Sequence, residues 1–204
     1  MRFDRPGRFT LRDGREVAVR SAELDDAEGL LSYVDGVRRE TRYILMSPED
    51  ALFSVEGERA WVQSHLDDPC GVNLVVEAEG EIVSCAGLQG NGFMRRRHAT
   101  GLGIAIREAW RGVGLGRYLM QTLIDWAGRH PELTVVELGV YADNEPAQRL
   151  YRSVGFEVDG RKRRAILRDG EQYVDELIMS LWVGDAAEGF GVNCLSAVRS
   201  VTEV

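Results

Sequence analysis

The stretch LGIAIREAWRGVGLGRYLMQTLIDWAGR, residues 102–129, carries the strongest structural signal in this 204-residue chain. Leu102 to Ile106 read as a buried strand. Arg111 to Arg117 read as a glycine-rich turn. Leu115, Leu119, Leu123, Trp126 and Ala127 then recur at helical spacing on one face, until Gly128 and Pro131 close the helix. Glycines between a strand and a helix let the backbone approach a ligand, and the unpaired N–H groups of a helix start favour an anion. Arg111 and Arg117 add positive charge at the two ends of the turn. The same residues also suit a tight turn that holds nothing. A P-loop is disfavoured, since neither its spacing nor its lysine is present. A dinucleotide fingerprint is disfavoured, since Arg117 stands where a third glycine would be needed.

Working outward, the segments before and after the turn define the layers. Asp13-Gly14 sits between two β-prone runs and predicts a hairpin. A helix is predicted from about Asp25, carrying Leu24, Ala27, Leu31 and Val34. A second is predicted to start at Ser47 as N-cap, with Pro48 first and Asp50 in the first turn, and to end near Asp67-Asp68-Pro69. Val72, Leu74 and Val76 alternate as a strand, Glu79-Gly80 turn, and Ile82 to Leu88 pair back. Downstream of the glycine-rich segment, Val135 to Tyr141 is a strand. Asn144 caps a helix with Ala147, Leu150, Tyr151 and Val154 on one stripe, and Phe156 to Arg161 and Tyr173 to Trp182 are the last strands. Two helices, consecutive strands, then strand–helix–strand–helix–strand–strand predict an α+β (α/β layered) domain with a mixed sheet. Residues 1–183 are read as one domain and 184–204 as a tail, which leaves room for a homodimer.

Composition narrows the function classes. The 33 Asp plus Glu against 25 Lys plus Arg give a net charge of −8, which disfavours a nucleic-acid binder that must displace phosphate counterions. Cys70, Cys85 and Cys194 are odd in number and widely spaced, so neither a disulfide framework nor a zinc site is expected. No apolar run suits a signal peptide or a membrane helix, and a cytoplasmic location is expected. His65, His98 and His130 are isolated, so no metal is expected.

Arg111-Gly112-Val113-Gly114-Leu115-Gly116 resembles the pyrophosphate-binding motif of the GCN5-related N-acetyltransferase (GNAT) superfamily. VYADNEPAQRLYRSVGF, residues 140–156, resembles its second signature, Asn-x-x-Ala-x-x-Leu-Tyr-x-x-x-Gly-Phe. Two signatures in order, with a strand between them, cover roughly Leu74 to Trp182. The resemblance implies a mixed, mostly antiparallel central sheet flanked by helices, with a V-shaped splay between its two central strands. It further implies acetyl-CoA as co-substrate. The pantetheine arm would lie along Ile104, Ala105 and Ile106. The N–H groups of Val113, Gly114, Leu115 and Gly116 would hold the pyrophosphate, with Arg111 and Arg117 beside them. Asn144 would touch the pantetheine, cap its helix, or do both.

The chemistry asks for a neutral amine, a stabilised oxyanion and a protonated leaving thiol. By resemblance Tyr151 protonates the thiolate; by periodicity alone it is a core tyrosine. Some members use a glutamate at the position that is Gly139 here. Glu137, two residues earlier on the same face, is the candidate base, directly or through water, and reads equally as a solvent-facing carboxylate. Arg95-Arg96-Arg97 and Arg161-Lys162-Arg163-Arg164 read as solvated loop charge, with the CoA 3′-phosphate or an acidic acceptor group as the sharper use. Tyr43 and Met46, between the first two helices, and the loop before the last strand are expected to line the acceptor site. The acceptor is expected to be a small-molecule primary amine: an amino acid, a polyamine or a drug-like amine. A protein N-terminal (ribosomal-protein type) acetyltransferase and a non-catalytic acyl-CoA-binding module are the alternatives.

Overall fold

A computed structural model describes residues 3, 7–170 and 172–184. Beyond residue 184 the tail, Cys194 included, lies outside the described residues, as does position 171 in the loop before the last strand. The described residues fall into two compact units. The first runs up to Gly90 and takes in Leu102–Gly116; the second comprises Asn91–Gly101 and the chain from Arg117 on.

In the first unit, β1 (Gly7–Thr10) and β2 (Glu16–Ser21) pair around the Asp13-Gly14 turn, where Gly14 takes a φ of +87° that a side chain would resist. A short 3₁₀ turn at Leu24–Asp26 leads into α1 (Ala27–Glu40), followed by α2 (Val55–Asp67), β3 (Val72–Ala78), β4 (Glu81–Gly90) and the end of β5 (Ala99–Ile106). The strand order is β1-β2-β3-β4-β5. Alternation on β3 puts Val75 on the face that the helices cover, where it packs with Leu30, Tyr33 and Val37 of α1, Val62 of α2, Ala22 and Ile82. Each fully buried aliphatic side chain here stabilises the unit by roughly 1.5–3 kcal/mol.

The predicted start of the second helix is corrected. Ser47, Pro48 and Asp50 form one isolated turn, in which Asp50 Oδ2 accepts from the Ser47 N–H at 2.7 Å; the helix begins at Val55, capped by Ser54. The buried Arg38 guanidinium explains the break. It donates to the carbonyls of Ser47 (3.1 Å) and Asp50 (2.5 Å), which continuing the helix would need as acceptors.

The second unit has the order β5-β6-β8-β7, with β6 at Val135–Tyr141, β7 at Glu157–Arg168 and β8 at Gln172–Trp182. Two helices belong to this part of the chain, α3 (Leu115–Arg129) and α4 (Glu145–Ser153). The five apolar stripe residues of α3 are all buried. β5 and β6 run parallel, a sense that requires a crossover, which α3 supplies; β6 pairs antiparallel with β8, and β7 with β8. The sheet is therefore mixed and mostly antiparallel, as the sequence implied. The β5–β6 ladder consists of Ala99–Gly101 against Val135–Glu137, and β5 continues to Ile106 and β6 to Tyr141 outside it.

A second correction concerns Arg161-Lys162-Arg163-Arg164, which lie on β7 rather than on a loop. Asp175 and Glu176 of β8 pair with Arg161 (2.6 Å) and Lys162 (3.0 Å), which compensates two of the four cations, and the Arg164 guanidinium stacks over the Tyr173 ring at 3.9 Å. The β7–β8 register shifts twice, between Val158 and Gly160 and between Lys162 and Ile166, and in the second shift Arg164 has a φ of +52°. Among the described residues no helix is long and apolar enough to cross a membrane.

Candidate functional site

The glycine turn is held from below. Gly112 and Gly114 take φ values of +76° and +98°, conformations that favour glycine. The Val113 carbonyl accepts from the Arg12 N–H at 3.1 Å, so the β1–β2 hairpin props the turn. With that carbonyl engaged, the N–H groups of Val113, Gly114, Leu115 and Gly116 have no acceptor among the described residues. They precede or open α3, whose own ladder cannot satisfy its first turn. A set of unpaired donors at the positive end of a helix dipole suits a pyrophosphate.

Charge around the turn differs from the simple flanking pair. Arg111 Nε donates to the Ile106 carbonyl at 2.7 Å, and its guanidinium lies 3.7 Å from Glu40. Glu40, the last residue of α1, also takes Arg107 Nε and the Glu108 N–H, each at 2.6 Å. Burial opposes its ionisation, but the Glu108 N–H and the Arg107 guanidinium prevail and hold the carboxyl below the usual range. Arg107 reaches Glu40 across Gly36, where a Cβ would stand 2.5 Å from the guanidinium; this explains a glycine inside α1. Arg12 brings a further cation, its side chain passing 3.5 Å from where a Gly114 Cβ would be.

Along β5, adjacent residues turn their backbone polar groups to opposite edges. The Ala105 carbonyl points toward β4 and accepts from Tyr33 Oη and Ser84 Oγ, both at 2.8 Å, and the Arg107 N–H donates to Val83 on that side. The N–H groups of Ile104 and Ile106 therefore face the other edge. Of the three residues assigned to the pantetheine arm, these two can donate to it, and Ala105 anchors the strand.

In the second unit, Asn144 caps α4, its Oδ1 accepting from the Ala147 N–H at 3.3 Å. Arg117 reaches the Ser153 carbonyl at 3.4 Å. Tyr151 is buried, with its ring 6.1 Å from that of Phe156, and its hydroxyl has no partner among the described residues. Burial pushes that hydroxyl up to about 12. Glu137 is half-buried and ion-paired with Arg96. Gly139 is exposed, and a Cβ built on it would overlap the carboxylate of Glu176.

A family model described as Acetyltransferase (GNAT) family matches residues 38–156. The chain belongs to that family. It is an acetyl-CoA-dependent N-acetyltransferase. It is 28% identical over 169 residues to the L-amino acid N-acetyltransferase AaaT of Escherichia coli (strain K12), covering 81% of this chain and 97% of that protein. It is 27% identical over 146 residues to an L-methionine sulfoximine/L-methionine sulfone acetyltransferase of Pseudomonas aeruginosa, covering 71% of this chain and 82% of the relative. In fold it is similar to a solved GNAT-family acetyltransferase from Streptococcus pneumoniae, with a TM-score of 0.78 at 24% identity over 82% of this chain and 99% of that one.

The acetyltransferase's connection between α1 and α2 is shaped by Arg38 and by Ile44, which packs against the core of the first unit. Tyr43 and Met46 are left half-buried on it, and Arg42 stacks over the Tyr43 ring at 5.4 Å. Three site groups escaped the sequence reading: Arg12, Glu40 and Glu176. Each reaches its place from an element distant in sequence. The one local hint was the glycine at 139, in a strand otherwise built of larger residues.

Proposed function

We propose that this acetyltransferase moves the acetyl group of acetyl-CoA to the primary amine of a small molecule, with free amino acids as the first class of acceptor. The observation that carries the donor half is the turn at residues 111–116. It offers unpaired N–H groups at a helix start, three arginines stand on or near it, and two strand N–H groups of β5 are open beside it in the same unit. In this reading the turn and Arg12 hold the pyrophosphate, and Ile104 and Ile106 bond the pantetheine. Arg111 and Arg117 add charge, and Asn144 orders the start of α4. The amine attacks the thioester carbonyl directly, and Tyr151 Oη gives its proton to the departing sulfur. Cys85 does not compete as an acyl carrier. Its thiol donates to Asn73 Oδ1 at 3.1 Å, and burial pushes it up to about 12, so it stays protonated.

The acceptor half is supported by the two relatives above, whose names specify amino acids and amino-acid analogues and which align over most of this chain. The experiment has two parts. Acetyl-CoA at about a hundred times its Kd should raise Tm by several degrees, from roughly 2.7 kcal/mol of linkage. Thiol release should then appear with amino acids in an amine panel that also contains polyamines and an alanine-initiated peptide. Release confined to the peptide would move the acceptor to a protein N-terminus. A Tm shift without release on any amine would make the chain an acyl-CoA-binding module.

A further inference from the structure

The β6–β8 register sets Glu137 opposite Ser180, Gly139 opposite Ile178 and Tyr141 opposite Glu176. Opposed residues in an antiparallel ladder share a face, and alternation puts all six on the same side. The reverse side, with Val136, Leu138, Val140, Met179 and Leu181, is buried and apolar. The face around Gly139 instead collects charge. Glu137 with Arg96 lies toward one end and Glu176 with Lys162 toward the other, with Tyr141 beside Glu176. Asp143 and Arg168 form an ion pair near Tyr141. The Glu176 carboxylate leans across its neighbouring strand and occupies the space that a side chain at 139 would fill.

Lys162 is the one lysine in the chain; the rest of its 25 Lys and Arg residues are arginines. An arginine opposite a carboxylate can fork onto both oxygens, whereas an ammonium acts as a point charge. Lys162 Nζ takes Glu176 Oε2 at 3.0 Å. Oε1, the oxygen over Gly139, has no donor among the described residues. The carboxylate is thus tethered by one oxygen and open at the other.

We propose that Glu176 is a catalytic residue, with Oε1 receiving the proton of the acceptor amine. The assignment rests on the amine-acetylation reading above. In the step, Oε1 takes one proton from the acceptor's ammonium, which frees the nitrogen lone pair to form the C–N bond to the acetyl carbon, and the nitrogen's second proton leaves to solvent as the amide forms. The C–S pair leaves with sulfur, which takes its proton from Tyr151. Solvent then returns Glu176 and Tyr151 to their starting states. Glu137, held by Arg96, is the less available carboxylate on this face.

The test compares wild type, Glu176→Gln, Glu176→Ala and the double variant Glu176→Ala/Gly139→Glu, using kcat/KM for the best amine from pH 6 to 10. General base catalysis is worth about 10²–10⁴-fold, so Glu176→Gln should lose on the order of 10²-fold near pH 7. The gap should narrow as pH rises through the amine's own pKa, because neutral amine no longer needs a protein base. The double variant places a carboxylate in the same space from the other strand and should recover at least about tenfold over Glu176→Ala. The acetyl-CoA Tm shift should be unchanged throughout. A Glu176→Gln rate within about twofold of wild type overturns the assignment, as does an equal loss at every pH with no recovery in the double variant. Absence of turnover in the wild type removes the parent reading as well, and so is distinguishable from failure of Glu176 alone.

Discussion

Tyr33 and Tyr151 are both buried, yet their hydroxyls are treated differently. Tyr33 Oη donates to the Ala105 carbonyl at 2.8 Å, as a core tyrosine normally does. Tyr151 is buried as a residue, but its hydroxyl has no partner among the described residues and is not one of the fully buried polar atoms left without one, so it keeps access to solvent and can meet a ligand. Its raised pKa, about 12 from burial, keeps the proton on across the neutral range, which suits an acid. Tyr151→Phe should lower kcat by about 10²-fold, toward the low end for general acid catalysis, because a thiolate is already a tolerable leaving group. Folding stability should hardly change, since no internal hydrogen bond is lost. Because the pKa is raised, no loss of kcat from Tyr151 ionisation should appear until pH approaches about 12. Single-turnover rates and thermal melts check these points; a kcat within about twofold of wild type would assign Tyr151 to packing alone.

At the scale of elements, the hairpin β1–β2, the end of α1 and the turn before α3 act as one support. The hairpin holds the Val113 carbonyl through a backbone bond, so its contribution survives a side-chain change at Arg12. Arg12→Glu should therefore leave the melting temperature of the free protein nearly unchanged and raise the acetyl-CoA Kd. One charge-assisted bond, worth about 1.5–3 kcal/mol, corresponds to tenfold or more. The difference between the two proteins should shrink in high salt. Gly114→Asp is a harsher test with a mixed readout, because its φ of +98° strains any side chain in addition to repelling phosphate. Calorimetric titration with acetyl-CoA separates the cases; an unchanged Kd for Arg12→Glu would remove Arg12 from the site.

For the molecule as a whole, donor and acceptor should depend on different segments. Tyr43 and Met46 lie on the connection that Arg38 and Ile44 shape, apart in sequence from the turn at 111–117. Replacing both with alanine should raise the amine KM several-fold and leave the acetyl-CoA KM close to wild type. Steady-state kinetics with each substrate varied decides it, and a change confined to acetyl-CoA would place the acceptor elsewhere. The net charge of −8 favours amines over acidic acceptors only as a general field.

What the sequence determined by itself was whatever depends on near neighbours. The glycine turn, the α3 stripe, the Asn144 cap and the β3–β4 alternation could be read because phosphate-binding turns, helix faces and caps are written within a few residues. The order of these pieces then implied the layers and the family. Tertiary structure alone decided where distant groups meet. Arg38 drew off two carbonyls and delayed α2 to Val55, against a good local start signal at Ser47. Asp175 and Glu176 turned a basic run into part of β7. The hairpin brought Arg12 to Gly114, and the β6–β8 register laid Glu176 over Gly139. Each outcome rests on a hydrogen bond, an ion pair or a strand register between segments far apart in the chain. Local periodicity carries no record of such partners, because a side chain's pattern along its own strand is the same whichever strand lies beside it.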